Sequence, residues 1–248
     1  MSASKLTLES IGNYTIGVRS NTFNPHKESV VLVHGIGVSS AYFVPLAKEL
    51  EQNFNVFALD LPGYGTTPKP KKALSIPQLA TVVHSFLIAH NLKQSTIVGH
   101  SMGCQIIAHL RDIRDGSIAK LILLAPTVNK NERSIVMQGV RLFQDTFRES
   151  PAANFVIFKE YAKMGPFRYL KTSRLMVRDI IETTLEKGTL PTLIVTGEKD
   201  PIVPNKWAHF LSQSSPNVTH KEIRGVPHAF HFSNPEKTAV VCEAFIKS

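Results

Sequence analysis

Ser95-Thr-Ile-Val-Gly99-His-Ser101-Met-Gly103-Cys-Gln-Ile-Ile107 decides how the chain is read. Its first five residues are a β-branched, apolar run of strand type, and the residues after Ser101 take up helical spacing, with Ile106, Ile107 and Leu110 on one side. A serine therefore stands at the tip of a strand-to-helix turn. Such a turn is tight enough to strain the serine backbone and push its Oγ out above a sheet. The positions two before and two after must then be small, and they are Gly99 and Gly103.

Outward from this segment, short apolar runs alternate with amphipathic stretches, which predicts βαβ units on a mostly parallel sheet. Ser29–His34, Asn55–Asp60, Ala119–Ala125 and Thr192–Thr196 read as buried strands because their hydrophobicity is continuous. A last strand is expected near Val218–Ile223. A helix should run from about Pro77, with Ser75 as its cap, Leu79, Val83, Phe86 and His90 on one face, and Asn91 at its end. A final helix should begin at Pro235 with Asn234 as cap. Between Val128 and Gly188 the alternation stops and helical spacing takes over, as in Val136, Val140, Phe143 and Phe147, or Val177, Ile181 and Leu185. The chain thus divides into a core of residues 1–127 and 189–248 and a helical insertion, 128–188, lying over the sheet as a cap. Its apolar residues (Phe143, Phe147, Phe155, Phe158, Phe167, Met137, Met164 and Met176) can either line a pocket or form the insertion's own core, and the second reading is favoured.

With Gly99-His100-Ser101-Met102-Gly103 in that context, the chain resembles the α/β-hydrolase superfamily over nearly all its length apart from the insertion. Four more segments carry the likeness in order. His34-Gly35-Ile36-Gly37 follows the strand that looks like the family's third. The resemblance implies an oxyanion hole from the Ile36 and Met102 backbone N–H groups, with His34, Gly35 and His100 bordering the substrate. Two preorganised donors matter because loss of one typically costs ~2.7–4 kcal/mol of transition-state stabilisation. Asp60-Leu-Pro-Gly63-Tyr-Gly65-Thr66 is similar to a structural turn of the family, with Thr66 read as replacing a serine. Gly197-Glu-Lys-Asp200-Pro-Ile-Val-Pro204 matches the segment carrying the acid, which implies Asp200, with Glu198 as rival. Gly225-Val-Pro-His228-Ala-Phe-His231 matches the segment carrying the histidine, which implies His228. Pro227 stands where glycine is commoner, so His231 remains a rival.

The resemblance implies a serine hydrolase: His228 deprotonates Ser101, and Asp200 holds the histidine tautomer and stabilises its imidazolium. An ester is the leading substrate. Cleavage of a carbon–carbon bond in an acidic dienoate is an alternative, with Arg168, Lys171 and Arg174 available for its carboxylate. A ligand receptor with an intact triad is another.

Composition limits the remaining classes. With 43% hydrophobic and 19% charged residues, the 248-residue chain is of globular type. The net charge of +9 is scattered, its densest cluster being Lys69-Pro-Lys71-Lys72, and no nucleic-acid recognition element accompanies it. It reads as a solvated basic surface, with steering of an anionic substrate as the alternative. No apolar run reaches the ~20 residues of a membrane span. The opening Met-Ser-Ala-Ser-Lys-Leu-Thr lacks a secretory apolar stretch, and Cys104 and Cys242 give no disulfide framework, so a cytoplasmic protein is expected. No metal or organic cofactor is implied, since Walker, dinucleotide-binding and H-E-x-x-H motifs are missing. The expected partner is a small-molecule substrate.

Overall fold

The protein is described from a computed structural model covering residues 5–248; residues 1–4, part of the stretch read for a leader, lie outside the described residues. In chain order the elements are β1 (Leu6–Ile11), β2 (Tyr14–Ser20), β3 (Ser29–Val33), α1 (Val44–Leu50), β4 (Asn55–Asp60), α2 (Ile76–Ala89), β5 (Ser95–His100), α3 (Met102–Ala108) and β6 (Ile118–Leu124). Then follow α4 (Ile135–Thr146), α5 (Pro151–Met164), α6 (Pro166–Arg178), α7 (Ile181–Lys187), β7 (Thr192–Gly197), α8 (Asn205–Ser212), β8 (Val218–Ile223), α9 (Phe230–Ser233) and α10 (Pro235–Ile246).

The eight strands form one sheet in the order β1-β2-β4-β3-β5-β6-β7-β8. β3 to β8 run parallel, while β1 and β2 form an antiparallel hairpin added at the β4 side. Every residue of β3, β4, β5 and β7 is buried, as strands covered on both faces must be, and this is why they read as continuous apolar runs. β8, at the edge, buries only its two ends fully. The chain steps from β3 outward to β4 and returns to β5 on the opposite side of β3. The strand order therefore reverses between β3 and β5, and a crevice opens beyond their carboxyl ends. The His34–Gly37 loop and Ser101 both lie at that point.

Local chemistry explains the helix ends. Ser75 caps α2 through a reciprocal box with Gln78, and Asn91 leaves the helix with φ 49°. Asn234 stands at the cap position of α10, but its side chain makes no capping bond; it donates instead to Ser233 Oγ at 3.2 Å. The β1–β2 hairpin was not foreseen from the sequence, although Gly12-Asn13 between two short runs is a two-residue hairpin signal and Gly12 takes φ 57°.

Helices α4–α7 lie in the connection from β6 to β7. Gln105 Nε2 of α3 donates to the Met176 carbonyl (2.9 Å), and His109 Nε2 lies 2.7 Å from Asp179 Oδ1, so the end of α6 is fastened to the core. Val177, Ile181 and Leu185 belong to two helices, separated at Asp179–Ile180. Met164 and Met176 are buried, as an internal core requires. The five phenylalanines are not: each is between 57% and 83% exposed, which overturns the reading of them as the insertion's own core.

Candidate active site

Ser101 has φ 54° and ψ −118°, a left-handed conformation that costs a non-glycine residue roughly 1–3 kcal/mol. Its surroundings hold it there. A Cβ on Gly99 would lie 2.5 Å from the Gly103 carbonyl oxygen, and one on Gly103 would lie 2.2 Å from that of Val33. Only glycine permits this approach of β5, α3 and β3. The Ser101 N–H donates to the Leu124 carbonyl at 2.9 Å, tying the turn to β6.

The loop after β3 passes close by. A Cβ on Gly35 would stand 3.1 Å from Ser101 Cβ, so the backbone at Gly35 and Ile36 runs directly over the serine. His34 does not border the space in front of Ser101. It is fully buried and accepts from the Leu61 N–H at Nε2 (3.1 Å), while Nδ1 donates to the Gly35 carbonyl (2.8 Å). It shapes the loop, and the sequence-based placement of His34 among substrate contacts is corrected accordingly. The following turn needs a second correction. Thr66 is exposed, and the hydroxyl that closes the turn belongs to Thr67, which accepts from Gly63 and Tyr64 N–H at 2.8 and 3.0 Å.

Asp200 and His228 lie together, in the pairing that the resemblance implies. His228 Nδ1 donates to Asp200 Oδ2 at 2.7 Å, and the other carboxylate oxygen accepts from the Ile202 and Val203 N–H groups at 2.7 and 3.0 Å. The two loops are joined by the backbone: Lys199 N–H donates to the Val226 carbonyl, and a Cβ on Gly197 would lie 2.4 Å from that oxygen. The rivals lie elsewhere. Glu198 is exposed and accepts from the Gly225 N–H. His231 is fully buried, its ring tilted 4.1 Å from the His100 ring and edge-on 4.5 Å from that of Tyr42, with neither ring nitrogen hydrogen-bonded to protein. Burial holds the imidazoles of His231 and His100 well below the usual histidine range. Neutral His100 donates from Nε2 to the His228 carbonyl at 3.1 Å.

Two carboxylates that the sequence did not single out complete the surroundings of His228. Asp145, on α4, accepts from the His228 backbone N–H at 3.4 Å, and Glu149, just beyond α4, accepts from the Ala229 N–H at 2.5 Å. Both are buried, and burial raises Asp145 to about 6 and Glu149 to about 8. Burial by itself would lower His228, but the charge and hydrogen bond of Asp200, with Asp145 and Glu149 behind them, raise it to about 9.

Ser101, His228, His100, Gly35, Ile36 and Asp145 line a compartment of about 50 Å³. It shares Gln138, Leu142, Asp145, Ile157, Tyr161, Tyr169 and Met176 with a second cavity of about 530 Å³ running between α4, α5 and α6, whose walls are mainly apolar. The second volume lies within the ~300–1,000 Å³ typical of small-molecule sites. Arg168, Lys171 and Arg174 are among the lining residues of neither.

Residues 28–160 match the family model described as the alpha/beta hydrolase fold. The chain belongs to this family. Consistent with that, the hydrolase is 27% identical over 238 residues to an esterase/lipase-named protein of Mycoplasma pneumoniae, covering 86% of this chain and 88% of that one. It is 22% identical over 261 residues to the Homo sapiens monoacylglycerol lipase ABHD6, covering 90% of this chain and 76% of the relative. In fold it is similar to the bromoperoxidase from Bacillus anthracis, with TM-score 0.84, 19% identity and coverage of 98% and 100%. Among the described residues of the hydrolase, no helix is long and apolar enough to cross a membrane.

Proposed function

We propose that this hydrolase cleaves carboxylic esters with an apolar acyl portion, using Ser101 as nucleophile, His228 as base and Asp200 as the acid that orients it. The observation that carries the reading is the 2.7 Å bond from His228 Nδ1 to Asp200, with His228 facing the same compartment as a serine held in a strained turn. His228 Nε2 takes the Ser101 hydroxyl proton as Oγ attacks the acyl carbonyl carbon. The Ile36 and Met102 N–H groups bind the resulting oxyanion. Collapse breaks the bond to the alcohol, which leaves with the proton from His228; water then repeats the cycle on the acyl-enzyme.

The ester assignment rests on the names borne by the relatives together with the shape of the site. A compartment of about 50 Å³ has room for little beyond the reacting group, so the bulk of the substrate falls to the apolar cavity beyond it. We assign residues 128–188, which carry α4–α7, the role of a cap whose helices α4–α6 form this cavity. The carbon–carbon alternative with an acidic dienoate is disfavoured by the same surfaces, because Asp145 and no lysine or arginine is among the residues lining them.

The test is hydrolysis of p-nitrophenyl esters of increasing chain length by the wild type and by Ser101→Ala. Turnover that vanishes in the variant supports the assignment. An unchanged rate in the variant refutes Ser101 as nucleophile. Binding-induced stabilisation without turnover by the wild type places the chain among ligand receptors instead.

A further inference from the structure

Helix α4 carries its hydrophobic stripe on the side opposite to that of a core-facing helix. Val136, Val140, Phe143 and Phe147 recur at helical spacing and are exposed, while Asp145 and Glu149 point inward and are buried. An amphipathic helix of a globular protein ordinarily turns the apolar stripe to the core. The neighbouring helices repeat the inversion, with Phe155 and Phe158 exposed on α5 and Phe167 and Leu170 on α6. Phe143, Phe158 and Leu170 come from three helices and line the one cavity of about 530 Å³, so exposed apolar side chains gather around its mouth.

Charge is sorted in the same way. From residue 135 to residue 178 the chain has eight lysines and arginines and three acids. The acids, Asp145, Glu149 and Glu160, are all buried, whereas Arg148, Lys159, Lys163, Lys171, Arg174 and Arg178 are exposed. The outer surface of these helices thus offers aromatic rings and positive charge and shows no exposed carboxylate. Rings with cations beside them suit the headgroup boundary of an anionic lipid layer, where apolar groups enter the acyl region and lysines meet phosphates. An acidic protein would complement the cations but leave the aromatic residues on three separate helices without a matching apolar phase.

We propose that the outer face of α4–α6 docks on an anionic phospholipid surface and that the cavity behind it receives an acyl chain directly from that surface. The second half of this statement rests on the serine-hydrolase reading of Ser101; the first half does not.

The two are separated by measuring binding on the Ser101→Ala protein. Co-sedimentation is compared between vesicles of phosphatidylcholine alone and vesicles of equal parts phosphatidylcholine and phosphatidylglycerol. The expected result is binding to the mixed vesicles that weakens with salt. Adding Lys159→Glu, Lys171→Glu and Arg174→Glu together should lower partitioning on the order of a hundredfold, since each basic residue near an anionic surface is worth roughly fivefold. Phe155→Ser with Phe167→Ser should lower it at least tenfold. In the active enzyme, neither set of changes should alter turnover of a short soluble ester, because none of these residues lines the catalytic compartment. Both sets should reduce turnover of a long-chain p-nitrophenyl ester carried in the mixed vesicles. Failure of the Ser101→Ala protein to bind mixed vesicles overturns the proposal, as does binding indifferent to both sets of substitutions. Self-association in the ultracentrifuge that Phe155→Ser and Phe167→Ser abolish, without vesicle binding, also overturns it and assigns the face to a second copy. Vesicle binding with no ester turnover by the wild type upholds the docking and removes the esterase reading.

Discussion

Asp145→Asn leaves an oxygen where the His228 backbone N–H donates but removes a negative charge from beside the proposed base. Asp145 Oδ1 stands 3.4 Å from that nitrogen, and the charge of Asp145 is one of the influences holding His228 at about 9. With the imidazole a few bonds further away, at ~6 Å, and an effective dielectric near 20, a unit charge is worth about 3 kcal/mol. Partial screening through the cavity brings the expected fall in the His228 pKa to about one to two units. Only neutral His228 can accept the serine proton, so kcat/KM of the wild type should rise with pH toward about 9. The variant's rising limb should sit one to two units lower, giving it roughly ten- to fiftyfold higher kcat/KM at pH 7. That advantage should shrink below about pH 6, where the wild-type Asp145 itself takes up a proton. The assay is kcat/KM against pH for a short p-nitrophenyl ester, with circular dichroism to establish folding. A rising limb that stays within a few tenths of a unit, or moves to higher pH, refutes the electrostatic argument.

Three further outcomes follow from the geometry. His228→Ala should lower kcat by a factor on the order of 10⁴–10⁶, whereas His231→Phe should stay within about tenfold of wild type; the reverse ranking would move the base to His231. Gly103→Ala should lower the Tm despite alanine's better helix propensity, because its Cβ would sit 2.2 Å from the Val33 carbonyl oxygen and β3 or α3 must shift. Thermal melts showing an unchanged or raised Tm would contradict that. Glu149→Gln should gain in Tm relative to wild type as pH rises from the ordinary carboxylate value of 4.5 to about 8, and the difference should then level off. The sign follows because a carboxyl raised by burial keeps its proton in the folded state, so the wild type alone loses stability across that window. A difference independent of pH would show that Glu149 is not buried as described.

The sheet was legible because parallel strands covered on both faces leave unbroken apolar runs, as in Val30–Val33 and Leu121–Leu124. The hairpin β1–β2 escaped notice because it lies at the edge, where burial is patchy and no apolar run forms. Ser101 stood out at a strand-to-helix turn, whereas Asp200 and His228 were proposed only through the family resemblance. Thr67 was missed by a slip of one residue in the turn's register. Helix α4 shows where periodicity fails: the stripe Val136–Phe147 was found, but its direction depends on what the helix meets, and here the carboxylate side meets the core. Asp145 and Glu149 were invisible for the same reason, since their partners are backbone amides some eighty residues away.

Those two contacts bear on any attempt to replace the proposed cap with a foreign one. The carboxylates come from the β6–β7 connection and the amides from the loop that carries His228, so the boundary between the proposed cap and the sheet runs through hydrogen bonds that hold the proposed base. A chimera with a foreign cap but no acceptors at these two places would leave consecutive buried N–H groups on that loop without partners, at a cost of about 1–3 kcal/mol each. The loop would relax before any question of substrate fit arose. A transplant must therefore carry the acidic pair along with the cavity, or redesign the loop beneath it.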